Sequence, residues 1–219
     1  MKTLSIAMAG ALALGFGLAA AGPLYADSPA ATPATAASTV PAAPKLHAAM
    51  RAMWQGHVQH TRAYAMAVKA GNAAAANKAA DDVVANAKQI ANAVGGFYGA
   101  DAGAGMLKLL AGHWGGVKAL TDAVHAGDKA GADKAMQDLA SNAGDIARFL
   151  SGANPNLPED AVRGLMMAHI AHHQAQVGEI MKGDMQAEAT TWKAMQAHMD
   201  TLADALSGGI AKQFPAKVS

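Results

Sequence analysis

The chain has 219 residues, of which 58 are alanine, 52% are hydrophobic and only 15% are charged. This composition excludes a wholly disordered chain, and a formal net charge of +1 excludes the basic excess typical of nucleic-acid-binding proteins. Cysteine is absent, which excludes disulfides, thiolate zinc sites and iron–sulfur clusters. Because alanine favours helices and aromatic residues make up only 5%, we expect an all-α protein.

The N-terminal segment has the pattern of a secretory signal peptide. Lys2 precedes an apolar stretch from Leu4 to Ala21, and Ala21 and Ala26 both offer cleavage points. We expect cleavage after Ala26, and therefore an exported protein, periplasmic or secreted. An uncleaved membrane anchor is the less favoured alternative, because the stretch is near the length limit for a span and poor in bulky residues. No later segment is apolar enough to cross a bilayer.

Residues 27–44 are rich in proline, alanine, serine and threonine, which predicts a disordered tether. The remainder, residues 45–219, is long enough for a single domain. The whole chain has 17 basic and 16 acidic residues, and residues 1–26 contain one lysine and no acidic residue. The cleaved chain would therefore have 16 of each and a formal net charge of zero. Charge therefore identifies no protein partner and gives no indication of nucleic-acid binding.

The chain contains an internal repeat of 56 residues. The same spacing separates the members of three aligned sets: Gly71, Gly127 and Gly183; His57, His113 and His169; and Asn86, Asn142 and His198. The copies span about 45–100, 101–156 and 157–212. In each copy, apolar residues recur every three or four positions on both sides of the glycine, which predicts a helical hairpin.

We therefore predict an up-and-down bundle of six helices built from three hairpins. The glycine in each hairpin turn is typical of a helix C-terminus, and the Asn or Asp after it is typical of the next N-cap. We expect the second helices to end at Gly95–Gly96, at the stretch from Gly152 to Pro158, and at Gly208–Gly209.

The aligned histidines occupy one level of the predicted bundle. His57 lies 14 residues before Gly71 and Asn86 lies 15 after it, so both are roughly 21–22 Å from the turn. The same arithmetic applies to His113 with Asn142, and to His169 with His198. Each first-helix histidine is on the apolar stripe, so its ring must find a hydrogen-bonding or metal partner. Burying it without one would cost about 2 kcal/mol or more of stability.

Two explanations of this level remain open. In the first, each histidine bonds to the residue facing it, and the protein is a non-catalytic structural or interaction protein of the envelope whose layer fixes helix register. In the second, the imidazoles converge on a transition metal, with Asn86 and Asn142 orienting the rings. Ring nitrogens more than about 6 Å apart would favour the first, since zinc–nitrogen bonds are about 2.0–2.1 Å.

Further ligand types surround this level and favour copper or zinc, held for storage, buffering or sensing. The proposed imidazole ligands are His57, His113, His169 and His198, with His60, His172 and His173 one turn away. Possible thioether ligands are Met53, Met166 and Met195. Haem is a less favoured alternative. An enzyme is the least favoured class, because no general base or substrate is indicated.

Three stretches resemble a family of small exported bacterial helical-bundle proteins of uncharacterised function. They are residues 57–62 (HVQHTR), 149–156 (FLSGANPN) and 209–215 (GIAKQFP). The resemblance covers about residues 46–217. It implies an exported, single helical domain, and it transfers no chemistry to particular residues.

Overall fold

The computed structural model describes residues 43–218, which fold into six long α-helices and one short C-terminal helix, without strands. Their bounds are α1 (Pro44–Lys69), α2 (Ala73–Tyr98), α3 (Ala100–Ala126), α4 (Lys129–Ala153), α5 (Glu159–Lys182), α6 (Met185–Gln213) and α7 (Pro215–Val218). This confirms the prediction of an all-α helical bundle. The predicted signal peptide and the tether up to residue 42 lie outside the described residues. Ala43 and Pro44, the end of the predicted tether, instead precede and open α1.

The helices pack in a regular alternation. Each even-numbered long helix lies against two odd-numbered ones: α2 against α1 and α3, α4 against α3 and α5, and α6 against α5 and α1. Helices α1, α3 and α5 also contact one another. We call these three the inner helices, since their mutual contacts place a shared core between them.

Each hairpin turn uses a glycine in the left-handed region, followed by a side-chain cap. Gly71, Gly127 and Gly183 have φ of +66°, +72° and +79°, a conformation that glycine adopts without steric cost. The following Asn or Asp accepts a hydrogen bond from a backbone N–H of the next helix at 2.9–3.0 Å. The three turns therefore join the helices of each hairpin at equivalent points.

Two predicted helix ends are wrong. Helix α2 continues through Gly95 to Tyr98, and α6 continues through Gly209 to Gln213. Both glycines instead lie where another part of the chain approaches closely. A Cβ at Gly95 would lie 3.5 Å from Gly103 Cα, and one at Gly209 would lie 2.6 Å from Leu157 Cδ2. These glycines serve packing rather than helix termination.

Apolar clusters lie on both sides of the predicted histidine level. The first, which we call the Trp54 cluster, includes Met50, Trp54, Leu110 and Met166. The second, the Tyr64 cluster, includes Tyr64, Val117, Leu120 and Leu139. Along each inner helix the aligned histidine falls between a member of one cluster and a member of the other. No described helix combines the length and the apolar character that crossing a bilayer requires.

Candidate metal centre

The inner helices bring four histidines together. His57 comes from α1, His113 from α3, and His169 and His173 from successive turns of α5. One ring nitrogen from each lies within 4.8 Å of those of the other three. The imidazoles therefore converge, and their separation is below the 6 Å or so that would favour isolated pairs. We call these four residues the histidine cluster.

His169 is the central member of the histidine cluster. Its ring centroid lies 5.6 Å from that of His57, 5.3 Å from that of His113 and 4.4 Å from that of His173. The Nε2 atoms of His169 and His173 are 3.1 Å apart. When both rings are neutral, one of these nitrogens donates the hydrogen bond and the other accepts it.

Burial keeps the cluster unprotonated. The four side chains are between 0% and 3% exposed. Removal from water lowers the pKa of His57 to about 3 and that of His113 to about 4. Burial, with repulsion between neighbouring imidazoles, also places the pKa values of His169 and His173 well below the ordinary value. At neutral pH the cluster therefore presents neutral rings, the form that binds metals.

Several nitrogens of the cluster have no hydrogen-bond partner. They are His57 Nε2, His169 Nδ1 and both ring nitrogens of His113. Each buried polar atom left without a partner costs about 1–3 kcal/mol, so a group of them at one point is expensive. A metal ion would use such lone pairs directly.

The donor set restricts the metals that fit. No aspartate or glutamate belongs to the cluster in the described part of the chain. The buried carboxylate of Glu188 is instead held by Arg62 Nε at 2.6 Å and by Gln176 Nε2 at 2.9 Å. Magnesium and calcium require oxygen ligands, whereas imidazole suits zinc and copper. Around a tetrahedral zinc, nitrogens are about 3.3 Å apart. The Nε2 atoms of His169 and His173 are already 3.1 Å apart, and the cluster nitrogens all lie within 4.8 Å of one another, so a small movement is enough to form the shell.

His198 lies beside the cluster and His172 beside His198, whereas His60 faces an aspartate on α2. The His198 ring is 6.3 Å from that of His169 and 5.4 Å from that of His172. His60 Nδ1 is 3.9 Å from Asp82 Oδ2 on α2. All three are partly exposed, in contrast to the buried cluster.

The residues aligned on the even-numbered helices bond to backbone carbonyls. Asn86 Nδ2 donates to Met53 O at 2.9 Å, Asn142 Nδ2 to Leu109 O at 3.1 Å, and His198 Nε2 lies 2.9 Å from Leu165 O. These three bonds recur at the predicted spacing of 56 residues.

The amide oxygens of the two asparagines are buried and unpartnered. Burial lowers the pKa of His113, and Asn142 opposes that shift, although the two side chains make no hydrogen bond of normal geometry. The orienting role predicted for Asn86 and Asn142 stays a prediction.

The three methionines predicted as thioether ligands lie in or against the apolar core. Met166 and Met195 are buried members of the Trp54 cluster, and Met53 packs against it. Flexible methionine commonly fills such cores.

A separate polar group, which sequence analysis did not predict, connects His47 on α1 with α6. Ser207 Oγ and Asp204 Oδ1 lie 2.9 Å and 3.2 Å from the same atom, His47 Nδ1. A catalytic triad needs the serine and the acid on opposite ring nitrogens. The group therefore joins the two helices and lacks the geometry of a nucleophilic site.

No protein-family model, curated protein or solved structure matches this chain.

Proposed function

We propose that this protein binds one copper or zinc ion through His57, His113, His169 and His173, and that it stores, buffers or senses that ion. The observation that carries the proposal is the group of four buried, neutral imidazoles whose ring nitrogens converge, with nitrogens of His57, His113 and His169 left without hydrogen-bond partners. A layer selected only to fix helix register would satisfy those nitrogens. A binding site leaves them free until the ion arrives, at a cost to the stability of the empty protein.

The coordination number supports a non-catalytic role. Four imidazoles complete a tetrahedral shell, whereas catalytic zinc sites keep one position open for water or substrate. The cluster is also buried, so a substrate larger than an ion has no described route to it. The sequence pattern of residues 1–26 supports export, and we therefore place the proposed function outside the cytoplasm.

Equilibrium dialysis with elemental analysis tests this function. The wild type, dialysed against zinc or copper, should retain one ion per chain. The triple variant His57→Ala/His113→Ala/His169→Ala should retain none, because only one cluster ligand remains. The matched control is His60→Ala/His125→Ala, which removes two histidines outside the cluster and should still retain one ion.

Circular dichroism on each variant separates lost binding from lost folding. If the triple variant unfolds, the single variant His173→Gln replaces it, with reduced retention expected. A wild type that retains no more metal than a folded cluster variant contradicts the proposed function.

The second candidate is a structural or interaction protein of the envelope whose histidine and asparagine layer fixes helix register. The three bonds from Asn86, Asn142 and His198 to backbone carbonyls favour it, because each ties the two helices of one hairpin together. This candidate predicts that metal titration is blank and that the cluster histidines stabilise the protein. The opposite stability effect, argued in the Discussion, distinguishes the two.

A further inference from the structure

A metal ion cannot reach the histidine cluster without passing protein atoms, because all four side chains are buried. Two partly exposed imidazoles lie next in line: His198, on α6, is beside His169 of the cluster, and His172, on α5, is beside His198. They form a pair whose ring centroids are 5.4 Å apart. This pair lies between solvent and the most central member of the cluster.

The rings form a continuous series toward the interior. From the His172–His198 pair, the next step is 6.3 Å to His169, whose ring is nearly parallel to that of His198 at 13°. His169 in turn neighbours the other three cluster rings. Each step is short enough for an ion to bond the next imidazole after a small side-chain rotation.

The hydrogen bond of His198 fixes which nitrogen is available to a metal. Its Nε2 lies 2.9 Å from Leu165 O, and a carbonyl can only accept, so Nε2 carries the proton. In the neutral ring the lone pair is therefore on Nδ1. The two other repeats have asparagine at this position, and asparagine makes the same bond to the carbonyl without offering an imidazole.

We propose that His172 and His198 are the entry station for the metal ion, which they capture from solvent and pass to the cluster through His169. This inference rests on the proposed function. The transfer is a ligand exchange: a bond from the ion to His169 forms as the bond to His172 breaks. The bond to His198 then breaks as the remaining cluster nitrogens bind. No electron is transferred, and the remaining water ligands of the ion return to solvent as the cluster nitrogens bind.

The rate of metal uptake tests the entry station. Cobalt(II) is mixed with the metal-free full-length protein in a stopped-flow instrument, and the visible bands of the bound ion are followed. His198→Asn and His172→Ala should each slow uptake at least about ten-fold, with one ion still bound at equilibrium. His198→Asn is conservative, because asparagine occupies the equivalent position in the other repeats.

The matched control is His60→Ala, which removes a partly exposed histidine one turn from His57 but outside the ring series. It should take up cobalt at the wild-type rate. Unchanged rates in both entry variants, slowing in His60→Ala alone, or a second tightly bound ion in the wild type would each overturn the entry station. Loss of equilibrium binding in a folded His198→Asn variant would overturn it too, since His198 would then be a resident ligand.

Failure of the entry station is distinguishable from failure of the proposed function. If wild type binds one cobalt ion but the variants match its rate, only the entry station is wrong. If wild type binds neither cobalt here nor zinc or copper in the dialysis experiment, both are wrong.

Discussion

His113→Leu is expected to make the metal-free protein more stable, by about 1–3 kcal/mol, while greatly weakening metal binding. Both ring nitrogens of His113 are buried without partners, and the residue is only 1% exposed. Leucine removes two unsatisfied polar atoms and adds apolar contact with residues on either side of the histidine level. The measurement is chemical denaturation of both proteins without metal, followed by zinc titration.

The same substitution at His198 provides the control. Its ring makes a hydrogen bond to Leu165 O, so His198→Leu removes a satisfied interaction and should cost about 1 kcal/mol. If the free energy of unfolding rises in His113→Leu and falls in His198→Leu, the cluster histidines destabilise the metal-free protein, as expected of a binding site. If His113→Leu instead lowers the free energy of unfolding by more than His198→Leu does, the register explanation is favoured.

The metal-free protein is expected to lose stability steeply as pH falls below about 6.5, the pKa of a histidine in the unfolded chain. In the folded protein the pKa of His57 is lowered to about 3 and that of His113 to about 4. Between these values and 6.5 the unfolded chain binds more protons than the folded one. Each such histidine therefore removes about 1.4 kcal/mol of stability per pH unit of acidification.

Urea denaturation at several pH values between about 7 and 4.5 measures this slope. The direction is the same for His169 and His173, whose pKa values are also lowered. His113→Leu should reduce the slope by one histidine's share, and bound zinc should move the acid transition to lower pH because the ion competes with protons. A free energy of unfolding that is flat across this range contradicts the account of buried neutral rings.

Helix periodicity and the 56-residue spacing were sufficient to predict six helices and one histidine level. The spacing of His57, His113 and His169 from the hairpin turns sets their height, because the rise per residue is constant in a helix. Their place on apolar stripes indicates that they face the interior. The structure places these three at one point between the inner helices.

Height alone could not decide between His173 and His198 as the fourth member. Both are near the predicted level, but His173 lies on an inner helix and His198 on α6. The stripe of α5 contains His173 four residues after His169, and that was the available signal. Which helices form the inner set depends on contacts between hairpins, which local periodicity does not encode.

The glycine pairs illustrate a second limit. Gly95 and Gly209 are read from sequence as helix ends, because glycine lowers helix propensity. Their actual role depends on close packing: Gly103, across the turn between α2 and α3, approaches Gly95, and Leu157, remote in the chain, approaches Gly209. Glycine disfavours a helix by about 1 kcal/mol relative to alanine. That preference is overridden where the absence of a side chain lets two parts of the chain pack closely.

X-ray absorption spectroscopy of the zinc-loaded protein tests the central claim most directly. We expect a first shell of four nitrogens at about 2.0–2.1 Å, with the outer-shell scattering of imidazole rings. The folded His113→Leu variant should lose one nitrogen from that shell or retain no zinc. A sulfur scatterer at about 2.3 Å, a shell made mainly of oxygen, or a wild type that retains neither zinc nor copper would contradict a four-histidine metal centre.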